Sequence, residues 1–123
     1  GGLSWAAPAA AAVLGAAFEV VLVETTGVGQ TETDVRHLAD TVALVIQPGS
    51  GDALQFLKAG IMEIPDVLVV NKSDQPQAQR AVSDLRSALA TSASVGIQDA
   101  DTTLVATSVE SGDGVAGFVD ALD

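Results

Sequence analysis

An apolar run that ends abruptly in a carboxylate, two hydroxyls and two glycines constrains this sequence more than any other stretch. It reads Val20-Val21-Leu22-Val23-Glu24-Thr25-Thr26-Gly27-Val28-Gly29-Gln30. Buried parallel strands are near-continuous in Val, Ile and Leu, and ligands collect at their carboxyl ends. A lone Glu there, followed by glycines that let the backbone come close, suits a metal-bound phosphate. The alternative is a core strand leading into an ordinary glycine turn. Residues 18–25 are read as a first strand on either view.

The remaining chain repeats the plan. Residues 41–47 (Thr-Val-Ala-Leu-Val-Ile-Gln) read as a second buried strand, ended by Pro48-Gly49-Ser50-Gly51. Residues 66–70 read as a third, running into Asn71-Lys72-Ser73-Asp74, and 103–106 as a fourth and shorter one. Helices are predicted between them. One covers 9–17, where Pro8 suits a first turn. Another covers 52–60, with Asp52 near its start and Gly60 as its stop. A longer one covers 75–92, with Ala78, Val82, Leu85 and Leu89 on one face, and a last helix runs to Leu122. Residues 31–39 read as a loop entering a short helix, with His37 on the surface. Residues 94–101 read as a loop, and 107–114 as a turn. Strands alternating with helices imply an α/β fold with a parallel sheet. With 123 residues there is room for one domain. Apolar residues are 48% and aromatic ones 3%, so Ala, Val and Leu must build its core.

Charge and composition exclude several partners. A formal charge of −11 leaves nothing to displace phosphate counterions, which argues against nucleic acid and anionic membrane surfaces. Residues 5–23 are apolar, but Pro8, Gly15 and Glu19 interrupt them and no basic segment precedes them. They fit neither a secretion signal nor a membrane span. The helix over 9–17 has no polar stripe, so it is either covered on both sides or no longer selected for solubility. With no cysteine there is no disulfide frame or thiolate metal site, which is compatible with the cytoplasm.

The third strand's end carries the most specific chemistry. Asn71-Lys72-Ser73-Asp74 fits the Asn-Lys-x-Asp pattern by which GTPases select guanine. The Asp74 carboxylate can accept two hydrogen bonds, from guanine N1–H and the 2-amino group. Adenine lacks those donors, so discrimination of order 10⁴ is physically reasonable. Lys72 can lay its methylene stem over the base, and Asn71 can tie neighbouring loops. The competing reading makes Asp74 a cap for the helix beginning near Gln75. After the fourth strand, Thr107-Ser108-Val109-Glu110-Ser111-Gly112 can close over guanine, with a backbone N–H near Val109 donating to O6. Alone that segment is an ordinary Ser/Gly turn. At the first strand, Glu24 would hold Mg²⁺ through water and Gly27 would offer its N–H to the γ-phosphate. Gln30 or Thr31 would orient attacking water, unless each is simply a solvated loop residue. A phosphate loop needs Gly-x-x-x-x-Gly-Lys-Ser/Thr. The only lysines are Lys58 and Lys72, and neither has the required glycines before it.

Residues 23–35, Gln47-Pro48-Gly49-Ser50-Gly51-Asp52, Gly60-Ile61-Met62-Glu63 and Asn71-Lys72-Ser73-Asp74 together resemble the MeaB/ArgK family. These P-loop GTPases, also called LAO/AO transport ATPases, escort methylmalonyl-CoA mutase. The resemblance runs in order from about Gly1 to Ser111, and Glu at the first strand's end is typical of the group. It implies a P-loop NTPase-like three-layer α/β/α fold with a mostly parallel sheet. It also implies GTP or GDP and Mg²⁺ as ligands, and a cobalamin-dependent mutase as partner. Gln47, Gly49, Asp52 and Lys58 would lie in a mobile switch segment that senses nucleotide and touches the mutase. Lys58 falls where the family has Lys, and Ala53 where it usually has Glu. An ordinary strand-to-helix loop with a solvated Lys58 is the alternative. With one His and no Cys, the nickel-inserting relatives fit less well.

Compared with the family pattern, residues 1–123 correspond to the C-terminal part of a G domain. The first strands and the phosphate loop are expected to be missing, so the chain should not hydrolyse GTP alone. The lost strand would lie between the Glu24 and Val42 strands, leaving backbone groups that need partners. A second expectation follows from those unpaired edges. The chain would then be a non-enzymatic remnant that binds a partner or self-associates as a homo-oligomer.

Overall fold

The computed structural model describes residues 4–25, 35–49, 51, 55, 65–94 and 102–123, which fall into two compact units, 1–40 and 41–123.

In the first unit, α1 spans Ala7–Gly15, with Pro8 in its first turn, where the missing N–H is harmless. None of its residues is buried, and Trp5 just before it is 94% exposed. Among the described residues of this chain α1 is therefore not covered on both sides. The strand expected over 18–25 is not formed. From Val20 to Thr25 exposure alternates residue by residue, the period of an extended chain, yet no ladder joins this segment to another among the described residues. Val20 is 74% and Leu22 86% exposed, so this is not a buried strand. The reason is physical: a parallel strand is buried only when neighbours satisfy both its edges and layers cover both its faces. Residues 35–39 make a helical turn in which Val35 O accepts N–H groups from Leu38 at 2.8 Å and Ala39 at 3.1 Å. His37 is exposed there, and Val35 is buried.

The second unit holds a three-stranded parallel sheet. Its strands β1 (Ala43–Ile46), β2 (Val67–Val70) and β3 (Thr103–Ala106) lie in that order. Ala43, Val67 and Thr103 form one row, and Ile46, Val70 and Ala106 the last. All four residues of β2 are buried, because it has a strand on each side and helix cover, and so it reads as an unbroken apolar run. α2 (Ala78–Ser94) crosses from β2 to β3. Its buried Ala78 and Leu85 pack with Ile46, Leu68 and Val70, and Ala81, Val82 and Leu89 flank them. That is the apolar face expected from the spacing. The helix starts three residues later than predicted, because 72–77 are occupied by turns. The last helix, α3, is Val115–Asp120. The helix expected over 52–60 lies outside the described residues apart from Gln55, which is helical, and the loop over 95–101 lies outside them too.

The amino end of the sheet is pinned by the Asp66 carboxylate, which accepts the Val42 N–H at 2.8 Å, and by the Thr102 hydroxyl, which donates to Pro65 O at 3.1 Å. Its carboxyl end is continued by Asn71 N–H donating to Ile46 O at 2.9 Å and Thr107 N–H donating to Val70 O at 2.8 Å. These bonds fix where the two loops beyond β2 and β3 begin. β1 has no strand on its outer edge among the described residues, and Val45 is 56% exposed. No helix among the described residues is long and apolar enough to cross a membrane.

The Ile46 side chain is buried in the β2-facing core, so Ile46→Val removes one methylene without polar consequence. It is expected to lower unfolding free energy by about 1 kcal/mol, read as a shift of the urea midpoint at unchanged slope.

Candidate functional site

The loops leaving β2 and β3 meet because those strands pair in register. Ser73 N–H donates to Thr107 O at 2.9 Å, which extends the pairing past the last strand row. The Thr107 hydroxyl donates to Asn71 Oδ1 at 3.4 Å, so the Asn71 side chain spans the two loops. Lys72 sits between these ties with φ +56°, in the left-handed region. Such a conformation costs a non-glycine residue roughly 1–2 kcal/mol and persists only where its surroundings enforce it. Here the Gln75 N–H bond to Lys72 O, at 3.0 Å, closes the turn.

Asp74 stands at the centre. Its Oδ1 accepts the Ser108 hydroxyl at 2.7 Å, a short charge-assisted bond. Its other carboxylate oxygen has no partner among the described residues, and the side chain is exposed. Ser108 itself is 1% exposed. Its Oγ accepts the Ser111 N–H at 3.4 Å, and its N–H donates to Asp113 O at 2.9 Å. A buried, doubly anchored hydroxyl thus orients a solvent-facing carboxylate. The helix-cap reading of Asp74 is not what the geometry shows. α2 begins at Ala78, and the carboxylate bonds the neighbouring loop instead of the helix N–H groups. Val109 follows Ser108 and is exposed, and its N–H makes no hydrogen bond among the described residues.

The β3–α3 loop is held by glycines as well as by these bonds. Gly112 N–H donates to Ser108 O at 2.8 Å, and the Ser111 hydroxyl donates to an Asp113 carboxylate oxygen at 2.8 Å. Gly114, at φ +72°, lies so close to the Ala106 carbonyl that a Cβ would collide with it.

Asn71, Lys72, Asp74, Ser108 and Val109 are therefore brought to one end of the sheet. Gln47, just past β1, joins them, because its Oε1 accepts the Lys72 ammonium at 2.9 Å. Gly49 lies in the turn beyond it. Glu24 belongs to the first unit and is exposed. Gly27, Gln30, Thr31, Asp52 and Lys58 lie outside the described residues. Sequence reasoning missed the anchoring roles of Ser111 and Asp113, and the partner of Gln47. The Ser-x-x-Ser-Gly-Asp spacing from Ser108 to Asp113 was a usable signal for the first, since such side chains bond their own backbone in turns.

A family model described as methylmalonyl Co-A mutase-associated GTPase MeaB matches residues 1–123. A protein of Pyrococcus abyssi named as a GTPase is 49% identical over 90 residues, which are 72% of this chain and 28% of that protein. The mitochondrial methylmalonic aciduria type A homolog of Caenorhabditis briggsae is 45% identical over 78 residues, 61% of this chain and 19% of that protein. A Mycobacterium bovis protein named as a GTPase is 42% identical over 77 residues, 60% of this chain and 23% of that protein. The chain thus spans less than a third of the length of these curated relatives. No solved structure gives a significant match. With the family model matching residues 1–123 and a parallel α/β sheet consistent with a P-loop NTPase fold, the chain belongs to the methylmalonyl Co-A mutase-associated GTPase MeaB family.

Proposed function

We propose that this chain is the guanine-reading part of a G domain whose whole protein binds and hydrolyses GTP with Mg²⁺ and assists a cobalamin-dependent acyl-CoA mutase. The observation that carries the reading is the Asp74 carboxylate, held through one oxygen by buried Ser108 and open through the other. A carboxylate so held presents two acceptors to a base edge with two adjacent donors, which is guanine. The family and the relatives' names support the mutase connection.

Phosphate chemistry asks for more than this. Mg²⁺ in nucleotide sites is held by one or two carboxylates together with phosphate oxygens and water. Glu24 is an exposed carboxylate of that kind, and no cluster of three or more metal-binding side chains lies among the described residues. Glu24 would hold the ion through water, and the ion would neutralise charge on the β- and γ-phosphates. Gly27 and Gln30 are assigned to the γ-phosphate and the attacking water.

Titration of the 123-residue chain with guanosine and with adenosine, followed by amide NMR shifts, tests the base reading. Shifts centred on the 71–74 and 107–114 loops are expected with guanosine only, and equal responses to the two nucleosides would refute it. No Gly-x-x-x-x-Gly-Lys-Ser/Thr lies within these residues. Phosphate release from GTP by the isolated chain is therefore expected at the buffer background. A rate above background that Asp74→Ala abolishes would overturn that expectation.

The outer edge of β1 favours one second reading, since its backbone groups and exposed Val45 have no strand beside them among the described residues. In that case the chain self-associates edge to edge. Size-exclusion chromatography would then show nucleotide-independent oligomers.

A further inference from the structure

The Lys72–Gln47 bond has no part in burial. Both residues are exposed, so neither group needs the other to escape a desolvation penalty. What the bond does is fix a side chain that otherwise wanders. Lysine has four rotatable bonds and loses much freedom when it is immobilised. Here its backbone is already set at φ +56° between two loop ties, and its far end is set by Gln47 Oε1 at 2.9 Å. The anchor is itself well placed, because Asn71 N–H donates to the carbonyl of Ile46, the residue just before Gln47. Lysine pinned at both ends presents its methylene stem as a ready surface, and a planar ligand that packs on it pays less ordering entropy.

We propose that Gln47 is a positioning residue of the base site, holding Lys72 for the base and linking the loop beyond β1 to base occupancy. The inference rests on the guanine reading of the site. A residue expected only in a switch segment thereby acquires a defined contact with the guanine-reading loop. Because base contact and the Gln47 bond share one side chain, movement of Lys72 is felt at the start of the Gln47–Pro48–Gly49 turn.

Guanosine titrations of the 123-residue chain, followed by amide NMR, test this with Gln47→Ala, Lys72→Ala, the double variant, Gln47→Glu and Asp74→Ala. Gln47→Ala is expected to raise Kd about three- to tenfold and to leave the thermal midpoint unchanged. It should add nothing once Lys72 is already alanine. Gln47→Glu, whose carboxylate accepts the same bond, should restore binding. In the parent chain guanosine should shift the Gln47 and Gly49 amides, and in Lys72→Ala it should not. An unchanged Kd in Gln47→Ala, or an equal loss with and without Lys72, overturns the proposal while Asp74→Ala still abolishes binding. If the parent chain ignores guanosine, or Asp74→Ala binds as well as the parent, the guanine reading itself has failed and takes this inference with it.

Discussion

Asp74→Asn is expected to move base preference from guanine to xanthine. The aspartate offers two acceptors, which match the N1–H and 2-amino donors of guanine. Asparagine offers one acceptor and one donor. Its NH₂ would face guanine's 2-amino group donor to donor, whereas xanthine carries a carbonyl oxygen at that position and keeps its N1–H. Sites built around ligand hydrogen bonds discriminate by as much as about 10⁴ when a buried partner is left unmatched, so the exchange should be close to complete. Ser108 strengthens the expectation, because its hydroxyl can still donate to the asparagine oxygen and hold the side chain in place. The measurement is a paired titration with guanosine and xanthosine, and Asp74→Ala should lose both. Undiminished guanosine binding by Asp74→Asn would show that the carboxylate does not read the base.

Gly114→Ala is expected to cost more stability than any other single methyl added to this chain's described loops. Two effects add. A left-handed conformation at φ +72° costs an L residue roughly 1–2 kcal/mol. The new Cβ would also meet the Ala106 carbonyl and the Thr107 Cα, which are backbone atoms unable to rotate away. Overpacking of that kind costs typically about 1–3 kcal/mol. Gly112 supplies the control, since it has φ +80° but nothing within 4 Å of its Cβ position. Gly112→Ala should show the conformational cost alone, near 1–2 kcal/mol. Urea unfolding of the two variants side by side isolates the clash, and equal midpoints would mean that the β3–α3 loop yields easily.

Much of the second unit could be read from residues alone, because its order is local or doubly enforced. β3 falls on residues 103–106 as expected, β2 within 66–70, and the apolar face of α2 on the predicted positions. β2 reads clearly because burial on both faces leaves no polar alternation to confuse it. Residues 18–25 show the limit of that signal. Val20-Val21-Leu22-Val23 has the same composition as β2, but a strand is a relation between segments, and a run of valines does not say what lies beside it. The proposed base site divides in the same way. Asn71, Lys72 and Asp74 lie within four consecutive letters, and Ser108 follows in a recognisable order. The left-handed backbone at Lys72 was not legible, since lysine seldom adopts it, and nothing in the spacing of Gln47 and Lys72 announces their contact.

Every residue that orients Asp74 hangs on β2 and β3, which match each other row by row from Val67 and Thr103 to Val70 and Ala106. On the proposed reading, recognition of the base rests on this strand pair and its two exit loops, with Gln47 beyond β1 acting through Lys72. The register of β2 against β3 thus sets how the two loops meet, and a slip of one residue would carry Ser108 away from Asp74.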